Sequence, residues 1–265
     1  MRNMFLHELK QYRKSTIIWT ISLIAVAVLF LSIYTSFTKD IAALQKLLAS
    51  LPDVVKKAFG ITLADLSITG FYSMILSYVI LAGSIQAMII GTSIVSKEER
   101  EKTAEFLLAK PVRRSQVLTA KLLAGLTILL ITNAVFMGSI PILLNALVGQ
   151  TIAFNTFLLL SLTLLFVQIF FLGLGFLVSV AAPKIRSVLS VSLSTVFAFY
   201  ILGTLDSIIG STTIRYFTPF KYYDLLYIAK HGSYEIGFVL LEAVLVIAAV
   251  VTSYYVYQNR DIRST

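Results

Sequence analysis

The sequence contains no cysteine among its 265 residues, which excludes disulfides, thiol catalysis and cysteine-ligated metals. Its two histidines, His7 and His231, stand far apart, so no histidine-rich metal site is expected. Charge is also scarce: 13% of residues are charged, against about 25% in a soluble domain. Acidic residues are the rarer sign, 13 against 22 Lys plus Arg, leaving a net charge of +9. What fills the chain is apolar, with 58% hydrophobic residues and a mean hydropathy of +0.88. This composition excludes an ordinary water-soluble enzyme, a disordered chain and a nucleic-acid-binding domain. It predicts an integral membrane protein with most of its mass in lipid. The basic excess then concerns the two sides of a membrane and is no nucleic-acid footprint.

A membrane span needs about 20 apolar residues, so charge-free windows are the ruler. They run over 15–38, 66–96, 122–183 and 187–205, with a last one over 236–258 broken only by Glu242. The third is too long for one helix, and a turn-like stretch from Gly149 to Asn155 divides it. The runs are continuous and do not alternate with period two, which favours helices over barrel strands. The expected fold is all-α, one transmembrane domain over 1–265 with six spans at about 17–37, 71–95, 122–147, 156–182, 187–205 and 236–257. The first apolar region exceeds the usual 7–15 residues of a signal peptide and lacks a small-residue cleavage site, so it is expected to remain. Six spans put both termini on one side. That side collects fifteen Lys and Arg and the other seven, which predicts cytoplasmic termini.

Outside the spans, residues 1–14 read as an amphipathic entry helix on the inner leaflet, with Met1, Met4, Phe5, Leu9 and Tyr12 on one broad face. The simpler reading is a basic anchor that sets topology. Glu8 falls inside the apolar sector, to meet a protein partner or to snorkel to water. On the far side, Ile41, Leu44, Leu47, Leu48 and Leu51 make an apolar stripe ended by Pro52. The segment 206–235 is rich in aromatics, which suits re-entrant or surface helices; substrate contact is the alternative.

The most informative soluble piece lies between spans two and three. Glu98, Glu99, Glu101 and Glu105 alternate with Lys97, Arg100 and Lys102. A helix from about Glu99 to Lys110 would present Thr103, Phe106 and Leu107 on adjacent turns, and Pro111 would stop it. Ser115 is a candidate N-cap for the next span. Such charge runs are usually solvated faces. Here the Phe106-Leu107-Leu108 triplet is costly to leave in water, and two spans bracket the helix closely. That geometry can pass a mechanical push into the membrane.

Inside the spans, Glu242 is a candidate for transport or gating, because a charge at a helix centre costs about 2.5–3.5 kcal/mol on insertion scales. Pairing with Arg215 or Lys221 is the structural alternative. Gln86, Asn133 and Gln168 would knit helices together, and Gly83, Ala87, Gly91 and Ser190, Ser194, Ala198 recur every four residues as packing seams. No paired constellation within the spans suits an intramembrane enzyme.

The loop between spans two and three resembles that of the ABC transporter type-2 exporter permeases. The family commonly shows an acidic-basic pair, Gly-Thr, an acid, Leu-Leu, Pro, then Arg and a downstream Lys. Here these read Glu99-Arg100, Lys102-Thr103, Glu105, Leu107-Leu108, Pro111, Arg114 and Lys121, with Lys102 replacing the glycine. Weaker matches are Glu8-Leu9-Lys10, Leu51-Pro52 with Phe59-Gly60, and Thr218-Pro219-Phe220. The resemblance implies a non-catalytic permease subunit of an ATP-driven exporter in a prokaryotic plasma membrane. The loop helix (Glu99, Arg100, Thr103, Glu105, Phe106, Leu107, Pro111) would be a cytoplasmic coupling helix seated on a separate ATPase. The entry helix would help through Phe5, Glu8 and Leu9, and Arg113 and Arg114 would grip acidic groups or phosphates. Two ATPases and a second copy of this permease, or a related one, would complete the unit. With no G-x-x-x-x-G-K-[ST], ATP and Mg would be held by the partner, and this chain carries no cofactor. A secondary, ion-gradient-driven transporter is the alternative, and the sequence does not name the cargo.

Overall fold

The computed structural model describes residues 2–37, 50–52, 54–55, 67–100, 113–182, 185–210 and 212–259. Among them the regular structure is helical. The helices of seven residues or more are α1 (Arg2–Phe37), α2 (Ile68–Arg100), α3 (Arg114–Leu143), α4 (Phe154–Ala181), α5 (Val188–Ile209), the short α6 (Leu225–His231) and α7 (Ile236–Asn259). Six of these, all but α6, are long and apolar enough to cross a membrane. A π-helical turn, Leu144–Val148, closes α3, and Gly149 ends it at φ +68°, a conformation that costs a Cβ-bearing residue energy. The predicted division of the long apolar window therefore falls where expected.

The boundaries differ from the charge-free windows mainly by extension. α2 and α3 run past the apolar core to Arg100 and from Arg114, because nothing in either sequence breaks a helix there. The N-cap of α3 is Arg113 and not Ser115. Gln116 Oε1 accepts the Arg113 backbone N–H at 3.3 Å, using the position three residues on that suits such a cap. The separate entry helix is also corrected. Residues 2–14 are helical but continuous with the first span, since no proline or glycine lies between Arg2 and Phe37.

α2 and α4 form the buried centre. Gly91 and Gly175 face each other: a Cβ on Gly91 would lie 2.5 Å from the Leu172 carbonyl oxygen, and one on Gly175 2.9 Å from that of Met88. The small-residue stripe of α2 is thus a seam within the chain. The stripe of α5 is different, for Ser190, Ser194 and Ala198 are all exposed. Polar side chains tie four helices at mid-depth. Gln168 accepts from Asn133 Nδ2 at 2.6 Å and donates to Gln86 Oε1 at 3.2 Å. Gln86 donates to Thr132 Oγ1 at 3.1 Å, and Thr20 donates to the same oxygen at 3.3 Å. Buried amides in lipid need such partners, which fixes the register of α1 to α4.

The aromatic segment between α5 and α7 is re-entrant. Thr218 Oγ1 donates to the Phe199 carbonyl at 2.8 Å. Phe199 lies ten residues before the end of α5, about 15 Å down its axis. Phe220 packs on Phe171 and Tyr222 on Phe170, both in the interior of α4. Irregular backbone at this depth is tolerated because protein surrounds it. Arg215 closes the segment: it donates to the Lys221 carbonyl at 3.0 Å, pairs with Glu235 and lies 4.0 Å above the Phe238 ring.

Candidate functional site

At the end of the bundle that holds both described termini, three helices converge on one carboxylate. Glu8 of α1 is 5% exposed, Lys97 of α2 6% and Lys121 of α3 1%. Lys97 Nζ donates to Glu8 Oε2, and Lys121 Nζ donates to Glu8 Oε1 at 2.8 Å. Each ammonium has a further acceptor: Gln11 Oε1 for Lys97 at 2.5 Å, and the Ile94 carbonyl for Lys121 at 2.6 Å. Lys97 also stands 5.1 Å from the Tyr12 ring centre, and the Tyr12 hydroxyl bonds Ser93 Oγ at 2.6 Å. Removing three charged groups from water is expensive unless their hydrogen bonds are made, and here they are made on all sides. Glu8 therefore does not snorkel to water. It is held by two lysines of its own chain.

The placement of those lysines gives the cluster its interest. Lys97 sits just before the segment 98–113, and Lys121 lies two turns into α3 beyond it. The two ends of the loop are thus clamped to the same side chain of α1. Lys121 and Glu8 were each legible as motif residues. Lys97 was missed as their partner, although a lysine at the very edge of a charge-free window was a usable signal.

Arg114 turns back into the bundle. Its Nη1 lies 3.4 Å from the carbonyl oxygens of both Tyr257 and Gln258, at the last turn of α7. A cation there meets the unsatisfied carbonyls and the negative end of the helix dipole. Thr119 and Tyr254 hydroxyls, 2.6 Å apart, add a second tie between α3 and α7. Arg113 is exposed. Phe5 is half-buried, and Leu9 packs against the core beside Tyr12. Glu99 and Arg100 lie on the last turn of α2. Thr103, Glu105, Phe106, Leu107 and Pro111 lie outside the described residues, as does the apolar stripe from Ile41 to Leu48.

Glu242 is 4% exposed on α7, facing the re-entrant segment. Its carboxyl faces the Tyr223 side chain, and among the described residues Oε2 has no hydrogen-bond partner. It pairs with neither Arg215, which takes Glu235, nor Lys221. The suggested ion pair is therefore not formed.

The family model described as ABC-2 family transporter protein matches residues 2–262. No curated protein matches the sequence.

Proposed function

The chain belongs to the ABC-2 transporter family, and from that premise we propose that it is the non-catalytic permease subunit of an ATP-driven exporter. Family membership implies a multi-pass membrane protein that associates with an ABC ATPase. The finer reading is that the segment 98–113 seats on that ATPase as a coupling helix. One observation carries it: Lys97 and Lys121, on either side of that segment, both bind Glu8 of α1. A displacement of the segment then moves α1, α2 and α3 as one lever. The ends of these helices are stiff, because a buried charge cluster has few alternative arrangements.

In this reading both termini lie in the cytoplasm of a prokaryotic cell and the re-entrant segment faces outward. Two ATPase copies, holding ATP and Mg, act on two permeases, this chain twice or with a related one. Nucleotide-driven closure of the ATPase pair pushes the coupling helices and alternates access to the cargo.

The test is co-purification. Glu99→Ala with Phe106→Ala is expected to weaken ATPase association while membrane insertion stays normal; undiminished association removes the coupling assignment. Substituting the ATPase Walker motif is expected to abolish transport. Transport persisting on an ion gradient would establish the secondary-transporter alternative, for which the buried Glu242 is the support.

A further inference from the structure

A cavity of about 110 Å³ lies where the re-entrant segment meets α2, α4 and α5, lined by Lys221, Tyr78, Thr163, Tyr200 and Thr204 among others. We propose that this cavity binds an anionic group, a phosphate or a carboxylate, carried by the molecule that the permease moves. The transport part of this assignment rests on the function proposed above; the binding part stands on the cavity alone.

The donors decide the sign of the ligand. Lys221 offers an ammonium that, among the described residues, makes no hydrogen bond and no ion pair. The hydroxyls of Tyr78, on α2, and Tyr200, on α5, are likewise uncommitted there. Their rings are fixed, Tyr78 stacked on Phe30 at 5.3 Å and Tyr200 edge-on to Phe220 at 5.6 Å. The serine and threonine hydroxyl protons around the cavity are already used: Ser77 donates to Ser73, Thr163 to Leu159, Thr204 to Tyr200 and Ser207 to Gly203, all to carbonyl oxygens of their own helices. Three donors from three elements, none of them hydrogen-bonded among the described residues, make a site for an acceptor-rich group.

Nearby carboxylates do not fill that role. Asp224 is committed to the backbone N–H groups of Leu226 and Tyr227 as the cap of α6, at 2.9 and 3.1 Å. Asp206 acts on Lys221 electrostatically but forms no ion pair with it. Burial holds the Lys221 ammonium below the ordinary lysine range even though Asp224 and Asp206 oppose the shift, with Arg215 adding to it. An ionisable side chain brought into the depth of the bundle beside a polar cavity is the usual mark of a ligand path. The volume holds several waters, enough for one phosphate or carboxylate to displace them.

The test uses the full-length chain in phosphatidylcholine nanodiscs, without ATPase or nucleotide. Acylation of lysines by a water-soluble N-hydroxysuccinimide ester is followed by peptide mass spectrometry. The probes are dihexanoyl-phosphatidylglycerol and inorganic phosphate, with dihexanoyl-phosphatidylcholine as the neutral control. At least one anionic probe is expected to slow acylation of Lys221 by about tenfold and to leave the exposed Lys230 unchanged. Protection by the lipid alone assigns the anion to an amphiphile, and protection by phosphate assigns it to the aqueous phase; both uphold the site. The Tyr78→Phe, Tyr200→Phe double variant keeps the lysine and is expected to lose most of the protection. If neither anion protects Lys221, or if Lys230 is protected equally, the site is refuted. Failure of ATPase association would leave this readout intact, so the two proposals fall separately.

Discussion

Glu8→Gln is the most searching perturbation of the cluster that joins α1, α2 and α3. It keeps the shape of the side chain and removes the carboxylate that Lys97 and Lys121 both bind. Breaking a buried pair by deleting one partner costs about 3–5 kcal/mol. Here Gln11 and the Ile94 carbonyl still accept one bond from each lysine, which points to the lower end, about 3 kcal/mol. For a chain of this size that is a fall in Tm of about 6–12 °C. The assay is thermal unfolding in detergent, followed by the fluorescence of Trp19, the single tryptophan, on the same helix as Glu8. The triple variant Glu8→Gln, Lys97→Met, Lys121→Leu supplies the control. Replacing a whole buried ion cluster by apolar groups is often neutral or better, so the triple variant should unfold within about 1 kcal/mol of the parent. Transport coupled to ATP should nevertheless be lost in both, because the loop ends are no longer tied to α1. A shift of less than about 2 °C for Glu8→Gln, or a triple variant less stable than the single one, would refute the clamp.

Gly91→Ala should destabilise by about 1–3 kcal/mol through overpacking, since its Cβ meets the Leu172 backbone, whereas Gly138→Ala, with open space around it, should not; denaturant titration of the two variants checks this. Arg215→Ala removes an ion pair, a backbone bond and a ring contact that hold the re-entrant segment, and should cost about 1–2 kcal/mol and speed proteolysis near residue 216. Glu242→Gln is expected to lower transport with Tm unchanged, because among the described residues its Oε2 has no hydrogen-bond partner to lose; unaltered transport would make the carboxyl structural. A chain without native cysteine also permits a clean topology test. Gln150→Cys should react with an impermeant maleimide in intact cells and Gln258→Cys only after permeabilisation, and the reverse would overturn the orientation.

Some of the site was legible in the chain and some was not. The family resemblance rested on Glu99, Pro111, Arg114 and Lys121, and the family assignment agrees with it. The apolar position of Glu8 signalled that it needed a partner, but periodicity within one helix cannot say which distant lysine arrives beside it. Arg114 reads in the sequence as a grip for other molecules, and in the fold its guanidinium meets the last carbonyls of α7, a contact between distant segments that periodicity does not reveal. Gln168 and Asn133 were readable as glue between helices, and their pairing at 2.6 Å is of that kind.

Span number, helical class and membrane residence follow from the sequence alone, since long charge-free runs must satisfy their backbone within each segment and bury their surface in lipid. Which seam is internal, where Glu8 finds its cations, and how far Thr218 and Lys221 dip between α2, α4 and α5 were decided only by the packing. Lipid rewards every apolar face alike, so hydropathy does not choose between neighbours; close approach at glycines and the need to pair each buried polar group make that choice.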